Sequence, residues 1–501
     1  MPSFLKSPFE ALPSIPAQSK QSVLGPLGER LKERLKAGQG KVFHSHEEKD
    51  GEREIVLSPE ARDLKERREA IETLMLEAEK LVEAVSEPRQ KIGIYFSLIR
   101  ASENMSRRPD VYVDGILEVL EEALTRYTPP PFQTYKLAED ILLRLMQDRG
   151  CVGDVFERVD RFAHAWLDES WSQAIAAQRL VRKVEQGETV TDEEIEAVAK
   201  RHNGNQPILL KAYLGLANVR ELQHQDPEGH LRAANTRVMS VGANDREMRQ
   251  EANEAMANAY RALGRYGSIQ LWLSGCESTV YEKLSDELIA DRSIPLAWRQ
   301  SFLESRVRGI NASWNTGSEG CINALAHVAS IVDADLCKHA EVELPTGLDE
   351  FLYSSQDLYT PRMLLTAAYI CRVFGRDGAQ RYHAEAKRRM EKIDPHEFPR
   401  VAASASIAII AYEEHSETEI SVLVQEIRSM VAQVDSPHAR MQLTGGLAQA
   451  LSRRAPRILA GCIPFIASTF EEVVVRNRMP IHYDRLAKVM TDAAITLYTK
   501  V

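Results

Sequence analysis

The densest run of side chains able to do chemistry is VDADLCKHAEVEL, in which Asp333, Asp335, Cys337, His339, Glu341 and Glu343 occupy every second position. On a strand, side chains two apart share a face, and all six donors would line up around a metal. On a helix, alternate positions lie about 200° apart and the same donors scatter. The preceding residues 326–332 carry a helical pattern, so the expectation is a solvated helix end and loop, with a metal site as the alternative. Two acid–histidine groups, Glu413-Glu414-His415 and His396-Glu397, fall at expected helix ends, where such residues serve capping and the helix dipole. Trp166 and Trp171 in AHAWLDESW are read as core aromatics rather than the walls of a binding groove.

Short catalytic signatures are missing: the sequence has no GxxxxGK[ST] phosphate loop, HExxH, GxSxG elbow or dinucleotide fingerprint. An enzyme built on this chain would assemble its site from distant residues, with 333–343 as the first place to look. The favoured expectation is a non-enzymatic protein without metal or cofactor. The 501 residues carry 63 basic and 73 acidic side chains, a net charge of −10. No basic stripe is interleaved with aromatics, and nucleic acid is not an expected partner. With 44% hydrophobic and 27% charged residues the composition is globular.

Six cysteines, Cys151, Cys276, Cys321, Cys337, Cys371 and Cys462, are scattered without a CxxC pair, the pattern of free thiols in a reducing compartment. The opening MPSFLKSPFEALPSIP lacks a continuous apolar core of signal-peptide length. The most apolar later runs, 401–412 and 458–470, are shorter than the roughly 20 residues a membrane span needs. A cytoplasmic location is expected.

Residues 1–57 are read as a disordered segment, because the Ser- and Pro-rich start buries too little apolar surface to offset the entropy of ordering. Within it, Leu24, Leu27, Leu31 and Leu35 oppose Arg30, Lys32, Arg34 and Lys36 on a short basic amphipathic helix. Residues 24–36 would give a weak peripheral membrane contact or cap the first repeat. A reading from another class makes the chain a secreted effector or secretion regulator, with this segment directing export.

Order is expected from Ser58-Pro59-Glu60, an N-cap followed by Pro at the first helical position. Leu64, Ile71, Ala78 and Val85 then recur every seven residues, with Leu74 and Leu81 between them, a seam best satisfied by packing within the chain. Pro109, Pro129-Pro130-Pro131 and Gly150 bound two Leu-rich helices, and Thr191-Asp192-Glu193-Glu194 and Ser416-Glu417-Thr418-Glu419 read as helix starts. Asp226-Pro227, Asp394-Pro395 and Ser436-Pro437 are further starts. No segment alternates long enough to need a sheet, and the predicted fold class is all-α.

Residues 251–275, EANEAMANAYRALGRYGSIQLWLSG, predict a helix, a Gly264-Arg265-Tyr266-Gly267 turn and a second helix, with Met256, Ala257, Tyr260 and Leu263 on one face. Leu214-Gly215-Leu216-Ala217 before Asp226, and the run from Tyr369 to Gly378, echo this unit at irregular spacings of about 35 to 45 residues. The unit resembles a tetratricopeptide repeat, with Ala257, Tyr260, Gly264 and Tyr266 in that family's small-residue, Tyr and turn positions. It departs at Asn253, where the family has a bulky aromatic, and at Ile269, where it has Ala.

The resemblance implies an α-solenoid of stacked antiparallel helix pairs, tetratricopeptide-like and HEAT-like. Its expected parts are repeat regions over 58–316 and 361–501, joined by an irregular bend at 317–360. Such stacks carry a concave groove for a protein partner's peptide or helix, in assembly or regulation. The resemblance puts the partner-binding positions on Glu254, Asn258 and Arg261 of the best unit, and on Tyr369 and Arg372 of its echo.

Overall fold

The computed structural model describes residues 59–107, 109–126, 130–147, 154–167, 172–200, 206–240, 246–355, 357–477 and 483–499. The chain divides into two units, Met1–Ser58 and Pro59–Val501. The first lies outside the described residues, and with it the expectations for 1–57. Trp171 and Cys151 lie outside them as well.

The second unit is all-helical, with no strand among the described residues. Its helices are α1 Pro59–Ala84, α2 Pro88–Asn104, α3 Asp110–Thr125, α4 Phe132–Gln147, α5 Asp154–Trp166, α6 Gln173–Glu185, α7 Asp192–Ala199 and α8 Gln206–Leu222. There follow α9 Glu228–Ser240, α10 Arg246–Ala262, α11 Tyr266–Leu273, α12 Ser278–Ala290, α13 Leu296–Ala312, α14 Ser318–Ile331, α15 Ala334–His339 and α16 Leu348–Ser354. The last are α17 Thr360–Val373, α18 Ala379–Met390, α19 Pro399–Tyr412, α20 Glu417–Ala432, α21 Pro437–Arg454, α22 Pro456–Asn477 and α23 Tyr483–Thr499. In 317–360 the regular α14 is followed by two helices of only six and seven residues.

Local chemistry explains most boundaries. Thr191 and Ser416 form reciprocal capping boxes with Glu194 and Glu419. The Ser436 hydroxyl accepts from the Ala439 amide, with Pro437 opening α21. One start moves: Asp394 accepts from the His396 amide in a turn, and the helix begins only at Pro399. The residue before a proline is pushed out of the helical region, and Phe398 sits at φ −126°.

The three echoed turns close alike. Gly264 and Gly375 have φ of +66° and +60°, and His224 takes the same left-handed conformation at +58°. In each, the next amide reaches back five residues: Arg265 N to Tyr260 O at 2.8 Å, Arg376 N to Cys371 O at 2.7 Å, and Gln225 N to Arg220 O at 2.8 Å. This is the Schellman closure, which satisfies carbonyls that a helix end leaves open.

The departures from the tetratricopeptide pattern have their own packing. Asn253 is 6% exposed and donates to the Gly275 carbonyl at 2.7 Å, tying α10 to the end of α11. Ile269 is fully buried in the same core as Ala257. Tyr260 stacks on Trp272 of α11 with ring centroids 6.5 Å apart.

Helix packing runs along the chain and then returns to its start. Alternate helices meet where α4 packs on α6, α6 on α8, α8 on α10, α17 on α19, α19 on α21 and α21 on α23. Helix α23 then packs on α1 and α2, and α22 on α1. Ile71, Leu74, Ala78 and Leu81 therefore share one hydrophobic core with Leu486, Ala487, Met490 and Ala494. The heptad seam of α1 is covered within the chain, chiefly by a helix some 400 residues away; Leu64, at its first position, stays 55% exposed. An Arg457–Asp63 ion pair spans the same junction.

One ionic cluster is buried between α4, α8 and α10. The Lys211 ammonium lies 3.3 Å from Glu139 and 3.0 Å from Glu251, and it also pairs with Asp140. Lys136 pairs with Glu251 at 2.6 Å. Glu139 is 1% exposed, and burial pushes its carboxyl up to about 7 despite Lys211. Burial opposes the charge of Lys211, but Glu139, Asp140 and Glu251 outweigh it and hold its pKa above the ordinary lysine value.

Candidate functional site

The positions that the sequence singled out for chemistry are spread apart. Asp333 is the N-cap of α15, accepting from the Leu336 amide at 2.9 Å, and it pairs with the buried Arg299 at 2.8 Å. Asp335 faces solvent beside Lys338, and His Nδ1 of residue 339 lies 2.8 Å from the Asp335 carbonyl. The run is helix through His339 and irregular after it, so the six donors do not share a face. Among the described residues, no group of three or more His, Cys, Asp or Glu side chains is arranged to hold a metal.

Glu413, at the end of α19, is 2.7 Å from His383 and 3.4 Å from His415. Burial pushes the thiols of Cys276 and Cys371 up to about 11, which leaves them protonated at neutral pH. Trp166 packs half-buried against the core, 6.2 Å from Phe162.

The five positions drawn from the repeat resemblance fall on α10 and α17. Arg261 spends its guanidinium on Glu287 of α12 at 3.2 Å and on Asp291, which caps the end of α12, at 2.7 Å. Glu254 lies 3.8 Å from Lys283, and Asn258 is exposed. Arg372 donates to the Tyr412 carbonyl at 3.1 Å, satisfying the last turn of α19. Tyr369 points elsewhere, into a groove of the unit.

That groove has a volume of about 700 Å³ and is lined by α14, α17, α19 and α21. Each helix contributes one stripe at three- and four-residue spacing: Asn323, His327 and Ser330; Arg362, Thr366 and Tyr369; Arg400, Ser404 and Ile407; Gln442, Gly446, Gln449 and Arg453. This is the period of a single helix face, so four neighbouring helices turn one side each toward the same opening. The floor is built of small residues, among them Ala408, Ala411, Gly446 and Ala450. A Cβ on Gly446 would stand 3.8 Å from Ile407, ordinary contact, so Gly446 faces α19 across the floor.

One end of the groove is anchored by aromatic stacking. Tyr369 and Tyr412 stack with ring centroids 4.7 Å apart, and the Tyr369 hydroxyl donates to the Ala329 carbonyl at 3.2 Å. Burial raises the pKa of both phenols; Arg453 and Arg454 oppose this at Tyr369, and Thr366, Arg453 and Arg362 at Tyr412.

The charge of the wall is one-sided. Arg362, Arg400, Arg453 and Arg454 line the groove, and no Asp or Glu does. Arg362 reaches out to Glu319, and Arg454 donates to the Ala411 carbonyl at 3.1 Å. Arg400 lies over the Tyr359 ring, 5.7 Å from its centroid, and touches Gln442 at 3.5 Å. Arg400 and Arg453 are exposed and have no carboxylate partner among the described residues.

Comparison with protein-family models finds no match, and neither does comparison with curated proteins or with solved structures. Among the described residues no helix is long and apolar enough to cross a membrane.

Sequence reasoning missed this groove because none of its stripes is distinctive alone. Ser404, Ile407 and Ala411 read as a buried helix, and only the stacking of α19 between α17 and α21 opens one side of it. The available signal was the small, polar 3.6-residue stripe on Gln442, Gly446 and Gln449, beside the apolar face of Leu443, Leu447 and Leu451.

Proposed function

We propose that this chain is a non-enzymatic scaffold, an α-solenoid of stacked helix pairs that holds an extended segment of a protein partner in the groove of α14, α17, α19 and α21. The observation that carries this reading is the repetition of one helix face on four successive neighbours around a single opening. Stacked pairs produce a continuous concave surface from equivalent helix faces, and such surfaces suit extended partners. Partner-binding residues on this reading include Tyr369 and Arg453 toward one end of the groove, with Gln449 and Gln442 following along α21. The face of α10 with half-buried Glu254 and exposed Asn258 is a separate stretch of the same stack, where Arg261 holds α12 in register.

A photo-crosslinking amino acid placed at Gln449 or Asn323, both exposed in the groove, should trap one partner at both positions in cells. The same group at Ser421, on the exposed face of α20, should not trap it. Equal trapping at Ser421, or no shared partner at the two groove positions, overturns the reading.

A further inference from the structure

We infer that the occupant of this groove is an acidic, extended peptide segment whose carboxylates are spaced to meet two arginine rims. This rests on the groove reading above and adds the chemistry of its partner. Arg400 stands in the first turn of α19, beside Gln442 near the start of α21. Arg454, in the last turn of α21, bonds Ala411 in the last turn of α19, so the two helices run parallel. The rims of the groove are therefore Arg362 with Arg400 at one end and Arg453 with Arg454 at the other. Eleven residues separate Arg400 from Ala411 on α19, a rise of about 16 Å at ~1.5 Å per residue.

An extended chain covers that span in roughly five residues at ~3.3 Å each. An extended chain leaves its amides and carbonyls open to the groove, where a helix has already paired them within itself. Between the rims the floor is uncharged and small, with Ile407 and Gly446 at its centre. Gln442 and Gln449 offer both donors and acceptors to a peptide backbone.

The fit is to a segment with small, uncharged residues flanked by Asp or Glu about five positions apart. The whole chain carries a net charge of −10, and between its two arginine rims the groove is lined by no Lys or Arg. A polyanion that needs cations along its whole length finds none across the floor. This favours a peptide with discrete acids over nucleic acid. Planar guanidinium groups also match carboxylates with paired hydrogen bonds.

The test uses the full-length protein and fluorescein-labelled twelve-residue peptides with a Ser/Ala/Val centre. Flanking positions five apart carry Glu, Gln or Lys, and a twelve-nucleotide oligo-dT serves as a fourth probe. Fluorescence anisotropy at low salt should give binding of the Glu peptide at least tenfold tighter than the Gln peptide, no binding of the Lys peptide, and weakening with added salt. The double variant Arg400→Glu/Arg453→Glu should lose the Glu peptide by tenfold or more; both residues are exposed, and circular dichroism with a melting curve checks that the fold is kept. It should gain affinity for the Lys peptide, a result that loss of folding cannot produce.

If Glu and Gln peptides bind equally and Gln449→Trp blocks both, the acidic class is wrong and the groove reading stands. If the Glu peptide binds and neither the double variant nor Gln449→Trp weakens it, the site lies elsewhere and both readings fall. Tighter binding of oligo-dT that competes with the Glu peptide overturns the inference in favour of nucleic acid.

Discussion

Replacing Lys211 by Met would remove a cation that touches three carboxylates at once in the cluster between α4, α8 and α10. Met keeps most of the side-chain volume, so the effect is electrostatic. Glu139 is 1% exposed and one of its oxygens, Oε1, has no hydrogen-bond partner among the described residues. Deleting one member of a buried ion pair costs about 3 to 5 kcal/mol, because the remaining charge stays desolvated without its counter-ion.

The pH dependence gives the argument its sign. Burial raises the Glu139 pKa from 4.5 to about 7 in the folded protein. Between these values the folded form keeps a proton that the unfolded chain has released, so stability falls as pH rises through this window. The interval corresponds to about 3 kcal/mol at ~1.4 kcal/mol per pH unit, present below pH 4.5 and lost by about pH 7. Without Lys211 nothing nearby opposes burial so strongly, and the carboxyl moves higher still.

Thermal melts of Lys211→Met and the parent at about pH 5 and pH 8 should therefore show a wide deficit at the higher pH and a narrow one at the lower. Glu139→Gln in the parent should flatten the fall in stability across the same range. A Lys211→Met protein that melts with the parent at the higher pH, or a deficit equal at both, would refute this account of the cluster.

Gly115→Ala should destabilise the contact of α3 with α2, since a Cβ there would stand 2.4 Å from the Tyr95 ring. Overpacking of this kind costs about 1 to 3 kcal/mol, and a melting curve unchanged from the parent would sink the prediction. Tyr260→Ala removes a half-buried ring stacked on Trp272. The loss should be about 2 kcal/mol, below the ~3 to 5 kcal/mol of fully buried aromatics, read as a shift in denaturant midpoint. Deleting residues 483–501 uncovers the seam of α1 at Leu74, Ala78 and Leu81; limited proteolysis should then cut early at Arg67 or Arg68, and protection equal to the full chain would mean that α1 does not depend on α23.

Some features of this protein are decided by near neighbours in the chain and can be read from them. The capping boxes at Thr191 and Ser416, the proline at the start of α21, and the glycine turns after α10 and α17 act through bonds within a few residues. The all-helical character follows from the same local sources, repeated along the chain. The heptad seam of α1 announced an apolar face that had to be covered, but nothing within its own segment specifies the cover.

Tertiary structure supplied that answer in α23, since any apolar stripe of similar width satisfies a hydrophobic face equally well from the sequence side. Asn253 shows the limit more sharply. Its place in the repeat pattern called for an aromatic, and only the approach of the Gly275 carbonyl explains a buried amide there. The arginine-rimmed groove belongs wholly to this second category. Arg400 and Arg453 are 53 residues apart and unremarkable in their own helices; they become the two ends of one opening because α19 and α21 stack in parallel.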